Sequence, residues 1–182
     1  NLKIIKNEKN KGYGGNQKKG YNYAIKSLFD IVVMIHGDAQ YPPEYISELI
    51  KPLEDGKADF VFGSRMSGDP LKGGMPLYKY FGNNFLTSVE NLILRTKLSE
   101  FHSGFRAYSV SALKDIPFNE NSDDFHFDSE IIVELVIAKK RISEITIPTR
   151  YGDEKCHVNS YKYGLNILKV MAQYLLNKFN NF

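Results

Sequence analysis

The sequence predicts an α/β fold, a mostly parallel sheet flanked by helices, and three observations carry that expectation. Apolar runs of strand length alternate with longer stretches of helical period, as in βαβ units. The run from Ile31 to Ile35 is continuously apolar, which suits a strand buried on both faces. The chain has 182 residues, 42% hydrophobic and 25% charged. That is the size and make-up of one globular domain, able to bury about 70% of its unfolded surface.

The elements follow in order. Gly15 to Leu28 has helical spacing, and Ile31 to Ile35 is the clearest strand. A helix is expected from Pro43 to Leu53, with Pro43 suited to a first turn. Ala58 to Phe62 reads as a strand, and the Gly, Pro and Ser content of Ser64 to Pro76 predicts a loop. Helical spacing returns from Tyr78 to Leu94, and Phe105 to Val110 is a strand. In the stretch Asp128 to Lys139, Ile131, Ile132, Leu135 and Val136 form an apolar stripe. Ile142 to Ile147 is a last strand, ended by Pro148. Tyr161 to Phe179 closes the chain as a helix striped by Leu165, Leu168, Ala172 and Leu175.

Composition narrows the function classes. Twenty-four Lys and Arg face 21 Asp and Glu, a net charge of +3 without blocks of like charge, so no nucleic-acid partner is expected. The single cysteine, Cys156, can form neither an internal disulfide nor a cysteine zinc site, and points to a reducing, cytoplasmic setting. No apolar run approaches the ~20 residues that span a bilayer. The chain opens at Asn1 and meets the apolar pair Ile4 and Ile5 at once, so a single catalytic domain over 1–182 that lacks its N-terminal strands is expected.

The expected strand at 31–35 runs into His36-Gly37-Asp38-Ala39-Gln40-Tyr41-Pro42-Pro43-Glu44. Ligands of α/β sheets bind beyond the carboxyl ends of strands. In extended chain, His36, Asp38 and Gln40 point to one side. A carboxylate and an amide suit a hard divalent cation, Mg²⁺ or Mn²⁺, completed by substrate phosphates. The alternative is that Asp38 only caps the turn and His36 packs locally.

This stretch resembles the Asp-x-Asp-x-Gln-x-Pro-Pro-Glu element of family 2 glycosyltransferases, in the branch of dolichyl- and polyprenyl-phosphate mannosyl- and glucosyltransferases. Asn10-Lys11-Gly12-Tyr13-Gly14-Gly15, Ala58-Asp59-Phe60-Val61-Phe62-Gly63-Ser64-Arg65 and Ser103-Gly104-Phe105-Arg106-Ala107-Tyr108-Ser109 follow in that family's order. The resemblance implies a GT-A fold, Rossmann-related, that transfers a hexose from a nucleotide-diphosphate sugar with inversion. The acceptor would be a polyprenyl phosphate or a glycan. It makes Asp38 the metal-binding carboxylate and Gln40 a second contact. His36 departs from the acidic residue of dolichyl-type members and becomes a candidate nitrogen ligand. It also implies two earlier strands, ending in Pro-x-x-Asn-Glu-like and Asp-Asp-x-Ser-like motifs, that hold the nucleotide base.

Arg65 and Arg106 suit phosphate oxygens, because a planar guanidinium contacts them in pairs; pairing with nearby carboxylates is the alternative. Asn10, Gly12 and Gly14 open a Gly-rich stretch before a helix, which can offer backbone N–H groups to an anion or be a simple turn. By resemblance it flanks the nucleotide, with Lys18 or Lys19 as a secondary charge contact. An inverting transfer needs a base for an acceptor hydroxyl, and Asp128, with Glu130 second, occupies the family's region for it. Asp128 is equally suited to cap its helix. Tyr78-Lys79-Tyr80-Phe81 and the final helix are candidates for peripheral membrane docking, or for core and oligomer contacts. Two rival functions remain at this point: a sugar nucleotidyltransferase, and a non-catalytic binding module of the same fold.

Overall fold

The structure, a computed structural model, describes residues 2–38, 40–151 and 159–179. Cys156 lies outside them. Among the described residues the six α-helices are α1 (Gly12–Lys26), α2 (Ile46–Glu54), α3 (Leu77–Leu94), α4 (Val110–Lys114), α5 (Phe127–Ile137) and α6 (Ser160–Leu175). Four strands are β1 (Ile31–Met34), β2 (Phe60–Ser64), β3 (Arg106–Ser109) and β4 (Ile142–Thr146), in the spatial order β1-β3-β2-β4.

The α/β class is as expected, but the sheet is mixed. β3 runs antiparallel to both β1 and β2, and only β2 and β4 pair in parallel. The cause lies between β2 and β3. α3 packs on α6 instead of crossing the sheet. The chain therefore re-enters where β2 ended, and the Gly63 N–H donates to the Phe105 carbonyl at 2.8 Å. β1 is also not buried on both faces. It is an edge strand whose four residues are half-buried. The sequence offered no sign of α4, which starts where the Ser109 side chain caps the N–H of Ala112.

Period-two alternation sorts the sheet residues. Phe60, Phe62 and Tyr108 join Tyr21 of α1, Phe127 and Ile131 of α5 and Met171 of α6 in one cluster. Val61 and Ala107 meet Leu49 and Leu53 of α2 and Ile147 on the opposite face. α5 is buried at eight of its 11 residues, Asp128, Ser129 and Glu134 among them, so it is enclosed well beyond the single apolar stripe its sequence suggests. The outcome is a helix–sheet–helix sandwich that leaves the chain after β1 free to form a cleft.

Candidate active site

A cavity of about 960 Å³ opens beyond the carboxyl end of β1. Pockets that enclose small-molecule ligands measure about 300–1,000 Å³. Its walls come from separated segments: Tyr13 and Gln17 of α1, His36, Asp38 and Gln40 after β1, Arg65 after β2, His102 and Gly104 before β3, Asp128 of α5 and Tyr163 of α6. His36, Asp38 and Gln40 all line it, but through a turn at Gly37 and Asp38 and not through the extended chain on which the expectation rested.

His36 is held from several sides. Its Nε2 lies 3.1 Å from the Tyr13 hydroxyl, and that hydroxyl donates to Asp128 Oδ2 at 2.8 Å. Asp128 Oδ1 accepts from Gln17 Nε2 at 3.0 Å, and Arg106 Nη2 lies 3.5 Å from Oδ2. Tyr13 stacks on Phe125 with centroids 4.9 Å apart and meets the His36 ring edge-on at 5.6 Å. A Cβ on Gly104 would lie 2.4 Å from His36 Cε1, so the imidazole occupies space that only glycine leaves open. Burial pushes the His36 imidazole below its usual pKa, although Asp128 and Asp38 pull the other way. Burial raises the Tyr13 phenol well above its usual value, and the Asp128 charge raises it further.

Asp38 Oδ1 accepts from the Gln40 N–H at 3.1 Å, the turn-forming bond the alternative reading expects. Its other oxygen stays available, 3.8 Å from His36 Nδ1. No third His, Cys, Asp or Glu joins this pair among the described residues. A divalent cation here would complete its shell with water and substrate oxygens, which is how Mg²⁺ and Mn²⁺ usually bind. The donor set fits such an ion.

Arg65 lines the cavity but is already paired. Its backbone N–H and Nε donate to Glu100 at 2.8 and 3.1 Å, and Nη2 closes a bidentate contact with the same carboxylate. Glu100 is fully buried and also accepts from Asn83 Nδ2 at 2.9 Å. Burial is the strongest single influence and raises the Glu100 pKa, but the Arg65 charge and the hydrogen bonds from Arg65 and Asn83 together outweigh it and hold the carboxyl below its usual range.

Arg106 does not reach the cavity. It is 1% exposed, and its guanidinium donates to the carbonyls of Ser103, Phe101 and Asp128 at 2.6, 2.7 and 3.1 Å. It is a buried strut between the segment before β3 and the start of α5. The Gly-rich segment also departs from expectation. The Gly12 N–H donates to Asn10 Oδ1 at 2.8 Å and the Gly14 N–H to the Asp123 carbonyl at 2.9 Å, so neither is left for an anion. Cβ atoms on Gly12 or Gly14 would lie 2.4 Å from the Asp123 and Ser122 carbonyl oxygens. These glycines serve close packing on the 122–124 loop, although Asn10 and Gly12 still border the cavity. Lys18 pairs with Asp123 at 2.8 Å, and Lys19 donates to the Lys6 carbonyl and Asn7 Oδ1, both at 2.7 Å.

Asp128 is at the wall as expected, but His126 is the residue before α5 and no side chain caps it. Both Asp128 oxygens accept hydrogen bonds, so it is not a free base. Glu130 points elsewhere. It borders a second cavity of about 160 Å³ with Glu134, and its Oε2 accepts from the Ser122 N–H at 2.8 Å.

Tyr13, Gln17, Glu100, His102 and Tyr163 escaped the sequence reading. His102 Nδ1 sits 2.9 Å from the Tyr163 hydroxyl, and its Nε2 is 3.2 Å from buried Glu90. Tyr13 lies inside the 10–15 motif and His102 directly precedes the 103–109 motif, and that placement was the available signal.

Known proteins bear on this geometry. The chain is 35% identical over 152 residues to the UDP-N-acetylglucosamine–dolichyl-phosphate N-acetylglucosaminyltransferase of Methanococcus voltae, matching 82% of this chain and 59% of that protein. It is 30% identical over 159 residues to the low-salt glycan biosynthesis hexosyltransferase Agl6 of Haloferax volcanii, matching 84% of this chain and 38% of that one. The chain thus spans well under two thirds of either relative. Glucosyl-3-phosphoglycerate synthase from Mycobacterium tuberculosis, crystallised with Mn²⁺, UDP and phosphoglyceric acid, superposes with a TM-score of 0.67 at 16% identity. That match covers 93% of this chain and 54% of the synthase, and it establishes the GT-A fold. The description "Glycosyl transferase family 2" matches residues 1–117. Sequence, fold and the ordered motifs agree, and the chain belongs to glycosyl transferase family 2.

Proposed function

We propose that the protein transfers a hexose from a nucleotide-diphosphate sugar, with metal assistance and inversion, to a polyprenyl phosphate or a related glycan acceptor. The observation that carries this reading is the convergence of His36, Asp38, Gln40 and Arg65 on one cavity of about 960 Å³. When bound, the cation supplies Lewis-acid stabilisation to the departing diphosphate, worth several kcal/mol. Asp38 and His36 would hold it, with Gln40 beside them. Arg65, its inner edge fixed by Glu100, contributes a fixed positive charge to the cavity wall for a phosphate oxygen.

Apart from Asp38, which this reading gives to the cation, the carboxylates lining the cavity are engaged: Asp128 by Tyr13 and Gln17, Asp124 by Lys162 at 2.9 Å. An acceptor whose oxygen is already anionic, a phosphate monoester, needs no base, and this favours it over a sugar hydroxyl. The names of the archaeal dolichyl-phosphate relatives support the same choice.

Lipid-linked acceptors need a surface. No helix among the described residues is long and apolar enough to cross a membrane. Leu77, Phe81 and Phe85 are each more than 60% exposed on α3, as are Leu165 and Leu175 on α6, and these faces would rest on the cytoplasmic leaflet.

The test is transfer of labelled sugar from UDP- and GDP-sugars to a short polyprenyl phosphate, with and without Mn²⁺. Asp38→Asn should abolish metal-responsive transfer with an unchanged thermal transition. Metal-responsive turnover in that variant would overturn the reading.

A further inference from the structure

We propose that Tyr13 and Asp128 act as positioning residues that lock His36 in its Nε2–H tautomer, so that the bare Nδ1 joins Asp38 as a nitrogen ligand for the cation. The inference rests on the metal-assisted reading above and adds a donor atom and a metal preference to it.

The protons available around His36 decide its tautomer. Tyr13 has one hydroxyl proton, and it is directed at Asp128 Oδ2 at 2.8 Å. The Asp128 carboxylate accepts there and from Gln17, beside the Arg106 guanidinium, so it has no proton to return. The Tyr13 oxygen, 3.1 Å from His36 Nε2, can then only accept from that nitrogen. A neutral imidazole carries one N–H, and placing it on Nε2 leaves the Nδ1 lone pair free. Nδ1 faces Asp38 Oδ2 at 3.8 Å, too long for a hydrogen bond. Two donors each about 2.1–2.2 Å from one ion lie about 3.0 Å apart at a right angle and about 3.7 Å apart at 120°. Mg²⁺ and Mn²⁺ take ligands about 90° apart, so the pair would share such a cation after closing by about 0.8 Å, a movement open to the exposed Asp38 side chain. The edge-on contacts of the His36 ring with Tyr13 and Tyr41, at 5.6 and 5.3 Å, and the open space at Gly104 fix its plane. Hydrogen bonding at the remote ring nitrogen is the usual means by which a protein orients a histidine ligand.

One consequence is metal choice. An imidazole nitrogen favours Mn²⁺ and Co²⁺ over Mg²⁺ more than a second carboxylate would.

Two measurements test this. The first needs no metal: side-chain ¹⁵N NMR of the apo chain, with His36 assigned by comparison with His36→Ala. Protonated Nε2 and bare Nδ1 are expected in the wild type, with Tyr13→Phe giving a mixture of tautomers; a protonated Nδ1 would overturn the proposal. The second is electron spin-echo spectroscopy of Mn²⁺ added with UDP. A ¹⁴N coupling should be present in the wild type and absent in His36→Ala. Tyr13→Phe should weaken Mn²⁺ binding by about 10-fold or more, and His36→Asp should shift the Mn²⁺/Mg²⁺ affinity ratio toward Mg²⁺ at least several-fold. Mn²⁺ bound without a nitrogen coupling would remove His36 as a ligand and leave metal-assisted transfer standing. No Mn²⁺ binding by the wild type would remove both.

Discussion

Replacing Glu100 by glutamine should destabilise the protein by about 3–5 kcal/mol, the usual cost of breaking a buried ion pair from one side. The Glu100 side chain is 0% exposed and that of Arg65 11%, so solvent cannot take over either charge. Three donors of Arg65 and the Asn83 amide converge on the carboxylate. A glutamine keeps one accepting oxygen and turns an NH₂ group toward the rest. For a chain of this length about 4 kcal/mol corresponds to a fall in Tm of roughly 8–16 °C. Arg65→Ala should cost a similar amount because it strands the carboxylate, a larger stability effect than a residue devoted to substrate phosphate would show. Urea unfolding followed by circular dichroism would measure both, and the Arg65→Leu/Glu100→Leu double variant should recover part of the loss. Single losses below about 1 kcal/mol that simply add in the double variant would refute the buried-pair account.

Three further outcomes are expected. Burial pushes Glu134 up to about 8, so the folded state keeps a proton that the unfolded chain releases near 4.5. Stability should then fall as pH rises between those values, by at most about 1.4 kcal/mol per pH unit. Glu134→Gln should flatten that slope in urea titrations at pH 5 and pH 8, and an unchanged slope would disprove it. Gly104→Ala should weaken Mn²⁺ binding several-fold, because the new methyl displaces the His36 ring; isothermal titration with UDP present checks this, and unchanged affinity would refute it. Arg106→Met strands three carbonyls and should cost about 2–4 kcal/mol in a urea titration, whereas normal stability with poor nucleotide binding would return Arg106 to the cavity.

Strand positions were legible because short apolar runs between turn residues have few other interpretations, and β1, β2, β3 and β4 all fall where their sequences put them. The direction of β3 was not legible. It depends on where residues 65–105 return, which is decided by α3 packing on α6, a contact between segments some 80 residues apart. At the site, Asp38 and His36 could be found because a polar cluster follows a strand. The roles of the arginines could not, since Arg65 and Arg106 occupy similar motifs and only tertiary packing leaves one at the cavity and encloses the other. Glu100 was invisible for the same reason: a carboxylate in a loop gives no hint that an arginine 35 residues earlier meets it.

The mixed sheet also sets a timetable for the nascent chain. None of its pairings is a hairpin; the register joins Ile31 to Ser109, Phe60 to Tyr108 and Phe60 to Ile142. Synthesis at about 5–20 residues per second would leave β2 waiting roughly 4–16 s for β4 to emerge. During that interval Phe60, Val61 and Phe62 have helices α1 and α2 for cover but no parallel neighbour. Pairings this remote in sequence also slow refolding of the released chain. A chaperone that covers β2 until β4 emerges would therefore raise the yield of folded chain during synthesis.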